Sequence, residues 1–285
     1  MWLYLLISSV VLIPGILSLV QLGFRPAIDF TGGTLLELKY PVPVSFDRVN
    51  KSAQKYGISL LSAQSSSDNT MLLRMKPQEG KKVAALQVEL VQLSSPSAVV
   101  LRDETVGPVL GKELLTKAIV AAVVAIVVIL LYVAYAFKDF KFGVSAVIAL
   151  FHDLLVVLGS FSLLGKFAGV EVDTLFVTAF LTTMSFSVHD TIVVFDRIRE
   201  YRKKGFRGSF EELSDQALTE TIGRSLANSL TIIFMLPALV LMGGDTIRWF
   251  VVALLIGTIS GTYSSPFVAT PILILWNRWE QRRKT

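Results

Sequence analysis

Long apolar runs alternate with short polar segments along this chain. Six of the runs come close to the length of about 20 residues that an α-helix needs to cross a bilayer. The pattern therefore predicts an α-helical polytopic membrane protein with six transmembrane helices. The runs extend over Trp2 to Gln21, Leu114 to Phe137, Phe142 to Leu164, Thr174 to Phe195, Leu226 to Met242 and Trp249 to Trp276.

Polar residues return between the first and second runs, and the hydrophobic period changes there. The predicted order of elements in this region, β-α-β-β-α-β, is typical of a ferredoxin-like α+β domain. Strand patterns cover Thr34 to Tyr40, Ile58 to Gln64, Met71 to Lys76 and Ala98 to Val106, and helical patterns cover Ser45 to Tyr56 and Glu79 to Leu93.

These patterns predict how the chain is divided into domains. We expect a first transmembrane helix over residues 1–23 and an inserted domain over residues 24–108. A bundle of five transmembrane helices should follow over residues 109–277, with a polar loop at 197–225 and a tail at 278–285.

Composition supports a membrane protein and indicates its orientation. Hydrophobic residues make up 53% of the 285 residues, and the mean hydropathy of +0.62 is far above that of a soluble domain. Thirteen basic residues fall in the short segments on one side of the predicted bundle, whereas only Lys166 and Arg248 fall on the other. The positive-inside rule makes the first side cytoplasmic, with both termini and the loop 197–225, and makes the inserted domain extracytoplasmic. The net charge of +5 is thus a topology signal and gives little reason to expect a nucleic-acid partner.

Two kinds of chemistry are disfavoured by what the chain contains. It has no cysteine, which excludes disulfides, thiolate metal sites and cysteine nucleophiles. The segment Val106 to Leu114, VGPVLGKEL, superficially resembles a phosphate loop, but its glycine spacing is one residue short and no Ser or Thr follows Lys112. Since no other nucleotide motif appears, the energy for any transport must come from a partner or from an ion gradient.

The fourth run places adjacent His189 and Asp190 inside an otherwise apolar helix. An ionisable group at this depth costs about 2.5 to 3.5 kcal/mol on insertion scales, which favours a functional carboxylate over one that only ties helices together. We expect one stripe of this helix to face lipid or a neighbouring helix and a second, polar line to face protein or water. The apolar stripe contains Leu181, Met184, Val188, Ile192 and Phe195, and the polar line contains Thr178, Thr182, Ser185 and His189, with Thr183, Ser187 and Asp190 beside it.

A second pair, His152 and Asp153, lies in the third run, so each of the two histidines precedes an intramembrane aspartate. A metal site built from both pairs is disfavoured, because adjacent side chains on a helix point about 100° apart and cannot chelate one ion together. Arg224 lies at the start of the fifth run. Its position alone favours an interfacial arginine that extends toward the membrane surface.

Two glycine motifs indicate close approach of the backbone. DFTGG, at Asp29, Phe30, Thr31, Gly32 and Gly33, joins the first helix to the inserted domain, and a tight turn at the domain entrance accounts for most of this signal. In the last run, Gly257 and Gly261 form a GxxxG step that lets another helix pack closely, and Pro266 and Pro271 permit a kink or hinge there.

These motifs together resemble the SecF family, over residues from about 1 to 280. The resemblance is carried by DFTGG, by LFHDLLVVLG, by SFSVHDTIVVFDRIRE, by the arginine of TIGRSLANSLT and by GTYSS. SecF proteins are the smaller half of the SecD/SecF accessory machinery of bacterial protein export. The resemblance implies a six-helix subunit of the RND superfamily, located in the bacterial cytoplasmic membrane, with a ferredoxin-like extracytoplasmic domain.

The resemblance also implies partners and roles. It implies pairing with a SecD-like subunit, association with the SecYEG channel, and use of the proton-motive force to pull unfolded preproteins outward. In the family, an aspartate of the fourth helix and an arginine of the fifth are linked to proton passage, and they match Asp190 and Arg224 here. We add His189 and Asp153 to the expected proton pathway. Many family members have Asn in place of His189, so this histidine either tunes or relays the proton step or replaces Asn as a hydrogen-bonding group.

Two other functions compete with this one. An RND-type exporter of small molecules or lipids would need twelve helices and large porter domains, and an intramembrane hydrolase would need a nucleophile or a metal set that the chain does not offer. We therefore expect a protein without enzymatic activity, cofactor or metal. Its expected role is to assist secretion in the lipid bilayer by using a proton gradient.

Reporter fusions test the topology. A fusion near Ser66, inside the inserted domain, should report an extracytoplasmic location, and a fusion at Gly205 should report a cytoplasmic one, because charge bias and helix count agree. A cytoplasmic signal from the fusion near Ser66 would overturn both the topology and the export hypothesis.

Overall fold

The computed structural model of the chain describes residues 2–65, 69–94, 96–137 and 139–284. Ser66, the proposed fusion site, and the basic residue Lys138 therefore lie outside the described residues. The chain divides into two compact units, one formed by Pro26–Ile119 and one formed by Met1–Arg25 together with Val120–Thr285. In chain order the elements are α1 (Trp2–Leu22), α2 (Ile28–Thr31), β1 (Gly33–Lys39), α3 (Phe46–Lys55), β2 (Leu60–Ser65), β3 (Thr70–Met75), α4 (Gly80–Val91), β4 (Val99–Val106), α5 (Pro108–Phe137), α6 (Phe140–Phe167), α7 (Thr174–Lys203), α8 (Phe210–Met242), α9 (Asp245–Ser264), a π-helical turn (Ser265–Ala269) and α10 (Thr270–Lys284).

The unit Pro26–Ile119 contains a four-stranded antiparallel sheet with the strand order β2-β3-β1-β4. One face of this sheet is apolar, as strand β3 shows. Met71, Leu73 and Met75 are buried and the residues between them are half-buried, because successive side chains of a strand point to opposite faces of the sheet. Helices α3 and α4 cover that face and complete an apolar core. The Tyr40 hydroxyl donates to the Leu90 carbonyl over 3.3 Å, and burial raises the pKa of Tyr40 to about 12.

The DFTGG motif forms the single turn α2 and the first residue of β1. Gly32 has a φ of +71°, a conformation that favours glycine. A Cβ at Gly32 would lie 2.8 Å from the Cα of Pro108, and a Cβ at Gly111 would lie 2.9 Å from the amide nitrogen of Gly32. The tight turn predicted here is therefore also a close contact with the first turn of α5. Gly111 permits that contact. From the sequence alone, this glycine was noted only within the segment that superficially resembles a phosphate loop.

The other unit is built from long apolar helices. Within the described residues, α5, α6, α7, α8 and the continuous run Thr246–Arg283 are long and apolar enough to cross a membrane, and Ser8–Leu22 forms a shorter apolar helix within α1. Their positions agree with the predicted apolar runs, although several helices extend beyond them.

Helix α1 packs on α6 through small residues. A Cβ at Gly159 would lie 2.5 Å from the Cα of Gly15. About one turn further on, the hydroxyl oxygens of Ser18 and Ser162 are 2.7 Å apart, and Ser162 also donates to the carbonyl of Gly23. Small side chains let the two backbones approach closely, and the buried hydroxyls satisfy each other.

The polar loop predicted at 197–225 is mainly helical, which corrects that prediction. Helix α7 continues to Lys203 and α8 begins at Phe210, so only residues 204–209 connect the two helices. A capping box begins α8: the Ser209 hydroxyl accepts from the Glu212 amide, and the Glu212 carboxylate accepts from the Ser209 amide.

Charge pairs extend α7 and α8 beyond their apolar residues. The Arg197 guanidinium on α7 donates to the Glu220 carboxylate on α8 over 2.7 Å and also contacts Glu200. Such contacts hold two polar helix ends side by side where hydropathy alone predicts a loop.

The last membrane helix contains the predicted irregularity, in the form of a π-helical turn. Pro266 has no amide hydrogen, and its ring would crowd the carbonyl four residues earlier in a regular helix. The wider turn accommodates this, and the Ser265 carbonyl accepts from the Thr270 amide five residues on. Single π turns within helices are frequent at functional sites, so the neighbouring side chains are of interest.

Candidate functional site

Helix α9 packs along α7 through small residues that recur every four positions on both helices. The pairs are separated by a constant 74 positions, so the two helices run parallel and in register. This is the close contact that the GxxxG step predicts. The pairs are Thr183 with Gly257, Ser187 with Gly261, and Thr191 with Ser265.

The contact is tightest at Gly257. A Cβ there would lie 2.3 Å from the Thr183 hydroxyl, which leaves no room for any side chain. The buried hydroxyls of Thr183 and Ser187 have no hydrogen-bond partner among the described residues. At these two levels α9 is therefore held by van der Waals contact, and the first hydrogen bond between the helices joins Thr191 and Ser265 at 2.9 Å.

Asp190 lies within the bundle, where α7 faces α8 and α9. Its exposed fraction is 8%, and the hydroxyls of Ser225 and Ser229 on α8 lie beside its carboxylate, within reach of hydrogen bonds. The cavity beside it has a volume of only about 10 Å³, room for at most one water molecule. The carboxylate is thus satisfied by hydroxyl groups that can donate to its ionised form or accept from its protonated form.

The predicted polar line on α7 does not face a single environment. Thr183, Ser187 and Asp190 are buried against α9 or α8, whereas Ser185 and His189 are exposed. The reason is the rotation of about 100° between successive helical residues, which turns His189 outward when Asp190 turns inward. The predicted apolar stripe faces the interior of the bundle. Met184, Val188 and Phe195 are buried in the bundle core, and Leu181 and Ile192 pack against it.

Arg224 is exposed near the polar ends of α7 and α8. Within the described residues its guanidinium forms no ion pair with Asp190, although its neighbour Ser225 lies beside that carboxylate. Arg224 instead borders a cavity of about 570 Å³, which is also lined by Val193, Asp196, Arg197, Arg199, Glu200, Lys203, Glu220 and Thr221.

Asp153 is the centre of a second buried polar cluster, between α6 and α9. Its exposed fraction is 0%. Ser260 donates to its Oδ1 over 2.6 Å, and Ser264 donates to its Oδ2 over 2.7 Å. His152 Nδ1 lies 3.0 Å from Oδ1, and the Tyr263 hydroxyl lies 3.2 Å from His152 Nε2.

The contact between His152 and Asp153 differs from what the helical projection suggested. The angle of about 100° between adjacent residues excludes joint chelation of one ion, but both side chains are long enough to turn toward each other and form a hydrogen bond. Among the described residues, no three His, Asp or Glu side chains come together in a way that could hold a metal ion.

The two acidic sites lie on either side of the same short segment. Ser264 contacts Asp153 of α6, and the next residue, Ser265, contacts Thr191 of α7, which directly follows Asp190. The end of α9 and the π-helical turn are thus held from two sides by helices that each carry a buried carboxylate.

Sequence reasoning missed the hydroxyl partners of both carboxylates. A signal was present, because serines four residues apart face each acid: Ser225 and Ser229 face Asp190, and Ser260 and Ser264 face Asp153. The spacing marks one helix face, but the sequence does not say which acid that face meets.

Comparison with known proteins shows two family matches. The family described as "Protein export membrane protein SecD/SecF, C-terminal" matches residues 87–279, and the "SecD/SecF GG Motif" matches residues 17–40, which contain DFTGG.

Individual relatives agree with these matches. The "Protein translocase subunit SecF" of Thermobaculum terrenum is 40% identical, over 96% of this chain and 91% of the relative. The "Protein translocase subunit SecDF" of Thermus thermophilus is 35% identical, over 92% of this chain and 35% of the relative. The crystal structure of SecDF from that organism, described as a translocon-associated membrane protein, has a TM-score of 0.81 and 31% identity, over 96% of this chain and 38% of that one.

Replacing Gly257 should disturb the contact between α7 and α9. Gly257→Ala places a Cβ against Thr183, and overpacking of this kind typically costs about 1 to 3 kcal/mol of unfolding free energy. The matched control is Gly143→Ala on α6, where a Cβ would meet nothing within 4 Å and the helix should gain up to about 1 kcal/mol. Unfolding in detergent measures both, and equal stability of the two variants would contradict the tight approach.

Proposed function

The chain belongs to the SecD/SecF family of protein-export membrane proteins, and on this basis we propose that it is the SecF-type subunit of a bacterial Sec translocase accessory that uses the proton-motive force to promote preprotein export. The named relatives are translocase subunits, which favours this function over an exporter of small molecules or lipids. The observation that carries the proton-driven part is the buried carboxylate of Asp190, held by two serine hydroxyls inside a membrane bundle.

In the proposed step, Asp190 takes up and releases the transported proton. Ser225 and Ser229 can reverse the direction of their hydrogen bonds, so either form of the carboxyl group keeps its partners. This matters because an unsatisfied buried polar group costs about 1 to 3 kcal/mol. Asp190 can therefore change its protonation state without leaving such a group behind on α8.

Arg224 supplies the charge that would couple this proton to movement. A guanidinium stays protonated at any physiological pH, so its approach favours an ionised carboxylate and its withdrawal favours a protonated one. In the conformation described here Arg224 lies at the large cavity, while the next residue, Ser225, touches Asp190. A modest shift or rotation of α8 would bring Arg224 to Asp190 in place of Ser225. Proton binding would therefore move this helix.

The architecture that accompanies this function is also proposed. We assign α1, α5, α6, α7, α8 and the run from α9 to α10 to six transmembrane spans in the bacterial cytoplasmic membrane, with both termini cytoplasmic. The sheet order β2-β3-β1-β4 with α3 and α4 on one face supports a ferredoxin-like extracytoplasmic domain at residues 24–108.

A SecD-like subunit is the partner that the surface of the bundle supports. Thr178, Ser185 and His189 on α7 and Asn228 and Thr231 on α8 are exposed within the apolar spans. Polar side chains in membrane helices usually face protein or a water-filled cavity. The fused SecDF relative, of which this chain matches about a third, joins such a partner to the corresponding half in one polypeptide.

Helix α5 presents the opposite kind of surface. Its exposed residues in mid-span include Val120, Val123, Val124, Val127 and Val128, which suit lipid tails. We therefore place the bilayer against α5 and the SecD-like subunit against the exposed polar faces of α7 and α8. The SecYEG channel and the unfolded preprotein complete the proposed set of partners.

Disulfide cross-linking tests the position of the partner. Because the chain has no cysteine, a single Ser185→Cys substitution gives an unambiguous probe. It should cross-link to a cysteine-scanned SecD-like subunit, whereas Val124→Cys, on the lipid face, should not. Equal cross-linking from both positions, or cross-linking from Val124→Cys alone, would place the partner elsewhere.

A double-mutant cycle tests the coupling of Asp190 to Arg224. Asp190→Asn keeps the shape of the side chain but cannot bind and release a proton, so it should abolish proton-dependent secretion without preventing assembly. Arg224→Ala should reduce secretion in the unchanged protein, but in the Asp190→Asn background it should cause no further loss of the secretion that remains if the two residues act together. Secretion is measured in cells that depend on the variant, at several external pH values.

Controls separate this coupling from general damage. Asp215→Asn and Arg207→Ala change exposed charges near the same helix ends and should leave secretion nearly unchanged. Losses that simply add in the double variant would make Arg224 an interfacial anchor. Full secretion by Asp190→Asn would remove Asp190 from the mechanism, and loss of the folded protein would make it a structural carboxylate.

A further inference from the structure

We propose that His152, Asp153, Tyr263 and Ser260 form a second proton-binding site, in which one proton is taken up at His152 Nε2 and the Tyr263 hydroxyl changes its hydrogen-bond partner. The site lies between α6 and α9 and is separate from Asp190. Its existence follows from side-chain geometry, whereas its use in secretion rests on the function proposed above.

The four side chains lie in a ring that three hydrogen-bond contacts connect. Asp153 Oδ1 accepts from Ser260 over 2.6 Å and contacts His152 Nδ1 at 3.0 Å. His152 Nε2 contacts the Tyr263 hydroxyl at 3.2 Å, and Tyr263 in turn lies beside Ser260. Ser264 donates to the other carboxylate oxygen and so completes the partners of Asp153.

This ring accommodates two protonation states without leaving a polar group unpaired. An ionised carboxylate only accepts hydrogen bonds, so the imidazole nitrogen that faces Asp153 carries a hydrogen. In the neutral state Nε2 is then bare and accepts from the Tyr263 hydroxyl. When a proton binds, Nε2 donates to the Tyr263 oxygen, and the freed Tyr263 hydrogen turns to the Ser260 oxygen.

The charge balance also suits proton uptake. A proton on His152 creates an imidazolium directly beside the Asp153 carboxylate, so the pair becomes neutral overall rather than positive. Of the groups on neighbouring elements, Tyr263 faces the ring from α9, while His189 and Asp190 belong to α7 on the other side of α9. If Asp153 only held α6 and α9 together, the two serines would be enough, because they already donate to both oxygens of its carboxylate.

Proton uptake at this ring would change the contacts of the π-helical turn. Tyr263 directly precedes Ser264 and Ser265, which bind α6 and α7 respectively. Tyr263 also lines a cavity of about 170 Å³ together with Ser225, a partner of Asp190. Reorienting the Tyr263 hydroxyl thus changes a segment that touches the surroundings of both carboxylates.

Nitrogen NMR of the full chain in lipid nanodiscs tests the proposal. The chain has two histidines, so His189→Asn leaves His152 as the only imidazole in a sample labelled with ¹⁵N-histidine. We expect Nδ1 to be protonated throughout and the Nε2 signal to move from the bare to the protonated position as pH falls from about 8 to about 5, the range in which histidine commonly titrates. Tyr263→Phe in the same background should shift the Nε2 signal, whereas Tyr135→Phe, on the exposed face of α5, should not.

The NMR measurement does not depend on secretion, so a negative result can be distinguished from a failure of the proposed function. An Nε2 signal that stays at the bare position across this pH range would overturn the proposal, as would a neutral form with its hydrogen on Nε2. The Tyr263→Phe variant decides as well, because an Nε2 signal that does not respond to loss of the hydroxyl would show that the ring does not exist.

Discussion

The contact that the membrane bundle depends on is the close approach of α9 to the helices on either side of it. On one side Gly257 and Gly261 let α7 come within van der Waals distance, and on the other Ser260 and Ser264 bind the buried carboxylate of α6. Hydrocarbon offers no hydrogen bonds, so a carboxylate at this depth is tolerated only where protein groups surround it. The small residues of α9 meet both needs, because glycine gives proximity and serine gives hydrogen-bond donors.

The same constraint explains why the faces of the outer surface of the bundle differ in polarity. Polar groups that this chain can satisfy by itself are turned inward, and the hydroxyls of α8 complete the surroundings of Asp190. Polar groups on the exposed face of α7 are not covered by this chain. A bundle that presents valines along α5 and polar residues along α7 is suited to lipid on one face and to a second protein on another. This asymmetry is what one half of a larger assembly would show.

Much of this arrangement could be predicted from periodicity alone. Six apolar runs and a strand pattern of period two gave nearly all the helices and strands, because burial in lipid or in a sheet leaves a regular trace in the sequence. The segment 197–225 was wrongly expected to be a loop, since Arg197 and Glu220 stabilise helix beyond the apolar residues and hydropathy does not register such pairs. The serine partners of Asp190 and Asp153 were also missed. Which helix faces meet is decided by tertiary packing, and a single sequence states only that a face exists.

The orientation of His189 bears on the two roles considered for it. His189 is exposed while Asp190 is buried between α7, α8 and α9; both border the small cavity beside Asp190, but no hydrogen bond joins them among the described residues. His189 instead continues the exposed line of Thr178 and Ser185, where asparagine would serve equally well as a hydrogen-bonding group toward a neighbouring protein. An effect of its protonation on Asp190 can act through charge across the cavity that both residues border. The orientation therefore favours a role at the interface with the partner, and the direct exchange of protons is better served by groups that already touch the carboxylates.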